Sequence, residues 1–471
     1  MSLKGKNVLV LGLGETGLSM ARWAVRDGAA AVRVADTRAD PPGRGALAQH
    51  APNATLRIGA FERETFTGID LVAISPGVPL AEPAVRDALA RGVPAVGDVE
   101  LFARAIPEAY RTASPPSLIG VTGTNGKTTV TALTGAIVNG GGRRCEMAGN
   151  ISPAVLTALM DCLDRGVLPD VWAIELSSYQ LETTHSLNLD AATMLNISED
   201  HLDRYADVKE YAAAKSRIFK GSGLQVLNRD DDASIAMRRA GRRVATFGLD
   251  RPRAATDFGL VKRGGDFLLA QGEIPILPFA DMRLAGLHNA SNALAALALT
   301  SELGLPRDRV VEAMRAFRGL PHRVEPIAEV DGIRYFNDSK GTNVGATVAA
   351  LNGFAKQLAG TTSRVVLIAG GDAKGQNFAP LRNAVAGPVR AVMLIGRDGP
   401  LIDRALDGTN VPRLRASSMA DAIDRSRDVA IAGDIVLLSP ACASFDMFNH
   451  YKHRGEVFTA LVNGLPNAHG I

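Results

Sequence analysis

The segment Gly120-Val121-Thr122-Gly123-Thr124-Asn125-Gly126-Lys127-Thr128-Thr129 carries the residue types that hold a polyphosphate. Backbone N–H groups of a glycine-rich turn, aimed by the start of a helix, form a cradle for phosphate oxygens. Lys127 supplies a point charge for the outer phosphates, and the Thr128 hydroxyl can ligate Mg2+. The usual spacing puts a glycine five residues before Gly126, where Val121 stands; here the glycines lie at 120 and 123. A plain strand–turn–helix crossover could use Gly126 for tightness alone, but Gly-Lys-Thr-Thr at a helix start is chemically more specific than that. Two further groups suit a phosphate site. Glu175 ends the apolar run Val171-Trp172-Ala173-Ile174, where phosphate-loop folds place a metal-binding acid; the alternative is a helix cap. His201 lies in the polar cluster Ser198-Glu199-Asp200-His201-Leu202-Asp203. Lys215, on an expected helix over 208–219, reads by itself as a solvated surface lysine.

A second signature opens the chain. The apolar run Asn7-Val8-Leu9-Val10-Leu11 feeds Gly12-Leu13-Gly14-Glu15-Thr16-Gly17, a helical pattern, and the strand Ala31-Val32-Arg33-Val34-Ala35 ending on Asp36. That order is the dinucleotide-binding fingerprint, with an acid placed to accept from ribose hydroxyls. Glu15 fits it poorly, because a carboxylate in a pyrophosphate turn repels the ligand unless it points away. A further strand, Asp70-Leu71-Val72-Ala73-Ile74, ends at Ser75-Pro76-Gly77, a loop that could close over the ligand.

These elements need scaffolds. A chain of 471 residues suggests about three domains of roughly 150 residues each. Hydrophobic content of 46% and charged content of 21% describe a globular protein, not a disordered one. The net charge of +3 is dispersed, with no basic block that would announce nucleic acid. Cys145, Cys162 and Cys442 show no metal-type pairing and read as free thiols in a reducing compartment. The N-terminus runs directly into a strand with no room for a signal peptide, and no apolar stretch is long enough to span a bilayer. A cytoplasmic protein is expected.

The pattern dissolves into a proline-containing linker at 107–116 and changes character again near Gly319. The expected α/β domains are a Rossmann-like unit over 1–106, a central phosphate-loop unit over 107–319, and a second Rossmann-like unit over 320–471. In the last, strands near 364–369, 391–395 and 434–438 end in loops at Gly370-Gly371-Asp372-Ala373-Lys374, Gly396-Arg397 and Ser439-Pro440-Ala441-Cys442-Ala443-Ser444. Ligands bind at such carboxyl ends in open α/β sheets. His288-Asn289-Ala290-Ser291-Asn292 opens an alanine-rich helix, where Asn292 could face a base and Asn289 could be a cap.

Taken together, Thr122 to Thr128, Glu175-Leu176-Ser177-Ser178, Asp200 to Asp203, His288-Asn289 to Asn292 and Pro321-His322-Arg323 resemble the Mur ligases, in order and over essentially the whole chain. Asp36-Thr37-Arg38, Ser75-Pro76-Gly77-Val78, Asn337-Asp338-Ser339-Lys340-Gly341-Thr342-Asn343 and Leu438 to Ser444 resemble most the members that add D-glutamate to UDP-N-acetylmuramoyl-L-alanine. The resemblance implies an ATP-dependent carboxylate–amine ligase acting through an acyl phosphate in peptidoglycan synthesis. It implies ATP at Gly123, Thr124, Asn125, Gly126, Lys127, Thr128, Thr129, Asn292, Arg323 and Asp338. It implies two Mg2+ ions at Thr128, Glu175, His201 and a carbamylated Lys215. The UDP substrate would meet Gly14, Thr16, Asp36, Thr37, Arg38, Ser75, Gly77 and Asn150; D-glutamate would meet Lys340, Thr342, Lys374, Ser444 and Tyr451. The partners implied are these small molecules, with no nucleic acid, no membrane insertion and a monomeric chain. The sequence departs from the family pattern at Glu15, at Tyr451 where phenylalanine is expected, and at Gln376 after Lys374. The rival reading as a nicotinamide-dependent oxidoreductase rests on Gly12 to Asp36 alone, and the loop at Lys127 argues against it. A non-catalytic nucleotide binder has no reason to keep Lys127, Glu175, His201 and Lys215 together.

Overall fold

A computed structural model describes residues 2–200, 204–284 and 286–470. Three α/β sheets follow one another along the chain. The first contains β1 (Asn7–Leu11), β2 (Ala31–Asp36), β3 (Thr55–Ile58), β4 (Leu71–Ile74) and β5 (Ala95–Val96) in the order β3-β2-β1-β4-β5, all parallel. That order reverses direction between β1 and β4, which opens a crevice at their carboxyl ends. The helix Glu15–Arg26 closes tightly on the sheet because Gly17 has no side chain: a Cβ there would lie 1.7 Å from the Gly12 carbonyl oxygen.

The second sheet holds β6 (Ser117–Thr122), β7 (Cys145–Gly149), β8 (Val171–Glu175), β9 (Ala191–Met194), β10 (Leu224–Asn228), β11 (Val244–Phe247), β12 (Phe258–Arg263), β13 (Asp266–Gln271) and β14 (Ile274–Pro278). Its order is β14-β13-β12-β11-β10-β9-β6-β8-β7, so β6 sits centrally between β8 and β9. The strands from β7 to β12 run parallel, while β12, β13 and β14 form an antiparallel meander at one edge. The third sheet holds β15 (Glu325–Val330), β16 (Ile333–Asn337), β17 (Val365–Gly370), β18 (Val389–Ile395), β19 (Arg413–Arg415) and β20 (Ile435–Leu438) in the order β15-β16-β20-β17-β18-β19, with only β15 antiparallel.

The first two sheets share one apolar core. Phe102, Ile106 and Tyr110 pack in the same cluster as Val155, Leu159, Trp172 and Leu181. The segment expected as a linker therefore begins in a helix, Asp98–Ala109, which contains Pro107. Pro107 lies in the last turn of that helix and supplies no N–H to its ladder. Tyr110 follows, its hydroxyl donating to Pro169 O at 2.7 Å and accepting from Trp172 Nε1 at 2.9 Å. The third sheet has clusters of its own on both faces. Its approach to the centre is through the helix Val344–Gln357 against Leu287–Thr300, and through polar loops. Among the described residues no helix is long and apolar enough to cross a membrane, and the three cysteines are free thiols.

Candidate active site

The phosphate loop runs from the end of β6 into the helix Lys127–Gly140. Gly126 takes φ +86°, and a Cβ on it would meet Asn292 Oδ1 at 2.5 Å, so conformation and space both require glycine. Asn125 N donates to Asn196 Oδ1 at 2.9 Å and Asn196 Nδ2 donates to Asn125 O at 3.1 Å, which pins the loop crest. Lys127 Nζ folds back to donate to Gly123 O and Thr124 O, both at 2.8 Å. Burial lowers its pKa. Those two carbonyls hold the ammonium where polyphosphate oxygens would compete for it. Thr129 is buried one residue beyond Thr128.

Glu175, at the end of β8, is 2% exposed. Its Oε1 accepts from Asn150 Nδ2 at 2.6 Å, while Oε2 has no partner among the described residues. The cap of the next helix is Ser177, in a capping box with Gln180, so Glu175 is not a cap. A buried carboxylate oxygen aimed at nothing suits a cation. Lys215 is 1% exposed, which overturns its reading as a solvated surface lysine. Its Nζ lies 3.4 Å from Thr122 Oγ1 and 4.7 Å from the Tyr211 ring centroid. Desolvation first, then the charge of Lys127, pushes its pKa well below the ordinary lysine value. His201 lies outside the described residues. Among the described residues no three His, Cys, Asp or Glu side chains gather as a metal cage. Glu175 Oε2 stands open as an oxygen donor, while the Thr128 hydroxyl accepts from Arg323; Mg2+ characteristically takes one or two protein ligands and completes its shell with phosphates and water.

The third sheet contributes cations. Arg323 Nη2 donates to Thr128 Oγ1 at 2.5 Å, and Asn343 Nδ2 approaches Asn125 Oδ1 at 3.4 Å. Arg323 also feels the charges of Glu175 and Asp338. Asp338 is buried; desolvation pushes its pKa up to about 7 against the stabilising Ser439 hydroxyl, which donates to Oδ2 at 2.7 Å. Lys340 Nζ sits 4.0 Å from the Tyr451 ring centroid, and burial, then Arg323, brings its pKa down to about 8. Ser444 is buried at the end of the loop after β20. Lys374 takes φ +46° and is exposed, 5.7 Å from the Phe445 ring, so it stands apart from the buried cations. Asn292 donates from Nδ2 to Asn289 Oδ1 at 3.1 Å; the cap of that helix is Gly286, not Asn289.

Two residues that sequence reasoning did not single out as ligands or supports organise these loops. Gln376 accepts from Val344 N at 3.0 Å and donates to Thr342 O at 3.3 Å and Ala441 O at 3.4 Å. Buried Arg454 donates to Ser339 O at 2.8 Å and Cys442 O at 3.1 Å. The change after Lys374 was the only signal for the first; the second lay in an ordinary-looking helix.

At the crevice of the first sheet a cavity of about 530 Å3 is lined by all eight residues expected there: Gly14, Thr16, Asp36, Thr37, Arg38, Ser75, Gly77 and Asn150. Asp36 is not an open acceptor. Its oxygens take the Leu13 N–H at 2.6 Å, the Arg38 N–H at 2.8 Å and the Arg38 guanidinium at 2.7 and 2.9 Å. That pairing with Arg38 holds its pKa down at about 2.

Comparison with known proteins identifies the class. A model described as Mur ligase MurD-like, N-terminal domain, matches residues 6–97; the Mur ligase middle domain matches 121–300; the Mur ligase glutamate ligase domain matches 322–442. The chain belongs to the Mur ligase family. It is 53% identical over 470 residues to a protein of Nitrosospira multiformis, covering 99% of this chain and 97% of that one. It is 52% identical over 468 residues to one of Aromatoleum aromaticum, covering 99% and 98%. Both relatives are named UDP-N-acetylmuramoylalanine–D-glutamate ligase. Among solved structures, the fold is shared with a UDP-N-acetylmuramate–alanine ligase from Thermotoga maritima (TM-score 0.60, 18% identity, 97% and 98% of the chains). It is also shared with a pseudomurein peptide ligase from Methanothermus fervidus (TM-score 0.59, 17% identity, 97% and 100%).

Proposed function

We infer that this protein is an ATP-dependent ligase that joins D-glutamate to UDP-N-acetylmuramoyl-L-alanine, a cytoplasmic step of peptidoglycan synthesis. The observation that carries the reading is a meeting at one seam: the phosphate loop and Glu175 from the central sheet, Arg323 and Lys340 from the third. Phosphoryl transfer from ATP to a carboxylate brings two anions together, so the site must supply positive charge where negative charge develops. Lys127, released from Gly123 O and Thr124 O, takes the outer phosphates. Arg323 spans from Thr128 toward the transferring group, and its fork suits phosphate geometry. A substrate carboxylate oxygen bonds to the γ-phosphorus as the bond to ADP breaks. The amine of D-glutamate then attacks the acyl carbon, loses a proton, and phosphate leaves with the C–O electron pair. Lys340 and Thr342, with Ser444, Tyr451 and the more exposed Lys374, would hold the D-glutamate carboxylates. Asn292 and Asp338 would hold the nucleoside of ATP.

The open Glu175 Oε2 fits Mg2+; Thr128, once Arg323 lets its hydroxyl go, His201 and carbamylated Lys215 would be its further ligands. When bound, the metal neutralises phosphate charge that would otherwise repel the attacking carboxylate. Lys215 suits carbamylation: in its buried setting the neutral amine is favoured, and its lone pair adds to CO2, releasing a proton and leaving an anionic carbamate. A carboxylate-like group then stands where an ammonium would repel the metal. The dispersed charge suits a small-molecule enzyme without nucleic acid; we take the chain to act as a monomer in three domains over 1–106, 107–319 and 320–471. Incubation with ATP, Mg2+, UDP-N-acetylmuramoyl-L-alanine and D-glutamate tests the reading: mass spectrometry should find the substrate extended by one glutamyl residue. Unextended substrate under all conditions would refute it.

A further inference from the structure

Glu15 is the residue that the nucleotide turn should least tolerate, and the structure gives it other partners. Its carboxylate leaves the first domain and reaches the 149–154 loop of the central one. Oε2 accepts from the Ser152 hydroxyl at 2.7 Å, and Oε1 accepts from the Ala154 N–H at 2.9 Å. Ala154 is the N-cap of the helix Val155–Arg165, whose own side chain offers no cap, so Glu15 serves as an acidic cap from another domain. Gly14, Glu15, Thr16, Gly149, Asn150, Ser152 and Ala154 all line the 530 Å3 cavity. The loop is thus one wall of the proposed uridine nucleotide site, and Glu15 ties it to the wall that carries the fingerprint.

The same loop touches the phosphate-transfer site. Asn150 N donates to Glu175 O at 2.8 Å, and Asn150 Nδ2 donates to Glu175 Oε1 at 2.6 Å. A Cβ on Gly149 would lie 2.3 Å from the Glu175 carbonyl oxygen, so the loop starts in close backbone contact with the strand end. The path Glu15–Ser152/Ala154–Asn150–Glu175 therefore joins the nucleotide cavity to the phosphate site through hydrogen bonds of 2.6 to 2.9 Å at its two ends and the covalent chain of the loop between them. The two domains also meet elsewhere: they share an apolar core, and Arg204 donates to Pro76 O at 2.8 Å.

We propose that Glu15 is a positioning residue that couples the uridine nucleotide cavity to Glu175 through the 149–154 loop, so that filling the cavity orients the acid of the phosphate site. The coupling is an energetic link between two sites and must be reciprocal. This rests on the proposed function, and the test separates the two. Titration calorimetry measures the Kd of ADP with Mg2+ in the absence and presence of saturating UDP, for the full chain and for Glu15→Ala. The native chain should show a several-fold change in Kd when UDP is present. Glu15→Ala should reduce that ratio to about one, while ADP alone still binds within about threefold of native and circular dichroism is unchanged. Asn150→Ala should abolish the ratio too, and the double variant should be no worse. An unchanged ratio in Glu15→Ala, or no ratio in the native chain, overturns the coupling. Failure of UDP and ADP to bind the native chain would overturn the functional reading instead. Should Glu15→Ala fail to fold, Glu15→Gln keeps an acceptor for the Ala154 N–H and should show a reduced ratio; a native ratio there also refutes the proposal.

Discussion

Arg323 Nη2 and Thr128 Oγ1 are 2.5 Å apart, and this bond ties the C-terminal domain to the first turn of the phosphate-loop helix. The hydroxyl proposed for the metal is therefore already engaged by the cation proposed for the transferring phosphate. The C-terminal domain, which keeps its own core, brings that cation to the phosphate loop. Arg323→Lys keeps the charge but loses the planar fork, and Arg323→Ala loses both. We expect kcat to fall about a hundredfold in Arg323→Ala and at least about tenfold in Arg323→Lys, given the few kcal/mol such transition-state donors supply. Steady-state kinetics in both variants checks this; native kcat in Arg323→Ala would remove the role.

Lys215 shows how chemistry and burial must be read together. Lys215→Ala should lower activity at least about a thousandfold, and formate or acetate should restore part of it by placing a carboxylate in the vacated space. Depleting CO2 from the buffer should slow the native enzyme reversibly. Activity of Lys215→Ala titrated with each anion, beside native enzyme in degassed buffer, gives the readout; the absence of any rescue counts against the carbamate.

Lys340 sets a pH limit. Its pKa is brought down to about 8, so the ammonium is complete below that pH and is lost above it. Attraction for a D-glutamate carboxylate should fall as pH rises through about 8, by up to tenfold per unit. The stability sign is opposite: between 8 and the ordinary value of 10.5 the unfolded chain binds more protons, so this group favours the folded state increasingly as pH rises. Binding of D-glutamate measured from pH 6.5 to about 9.5 should show the limb in native protein, and Lys340→Met should lack it.

Gln376 holds Thr342 O, Ala441 O and the Val344 N–H that opens the helix Val344–Gln357, three backbone groups around the proposed amino-acid pocket. Removing it leaves those groups to water or unpaired, at about 1 kcal/mol each. Gln376→Ala should raise the KM for D-glutamate about five- to tenfold while the KM for ATP stays within about twofold. Equal changes in both constants would point to general damage rather than to the pocket.

Legibility differed from part to part for physical reasons. The parallel strands read clearly because burial on both faces demands continuous apolar runs such as Val8 to Leu11 and Val365 to Ala369. The antiparallel meander from Phe258 to Pro278 did not, since its strands are buried at one end and exposed at the other, with Lys262, Arg263 and Asp266 grouped around the Gly264-Gly265 turn, a pattern that resembles a loop. Gly-Lys-Thr-Thr declared itself through local chemistry. Burial of Lys215 depends on the packing of distant elements, and no periodicity in its own helix reports it. Asp36 was placed correctly at a strand end, yet its occupation by Leu13 and Arg38 is a matter of three-dimensional hydrogen bonding. Glu15 looked like an error in the turn because its partners, Ser152 and Ala154, lie in another domain.

The most direct test of the account is phosphate release from ATP in the presence of UDP-N-acetylmuramoyl-L-alanine, comparing D-glutamate with L-glutamate and other amino acids. The account predicts release that requires both the UDP substrate and D-glutamate, and that is absent with the other amino acids. Release supported by L-glutamate or another amino acid, or none with D-glutamate, would contradict it.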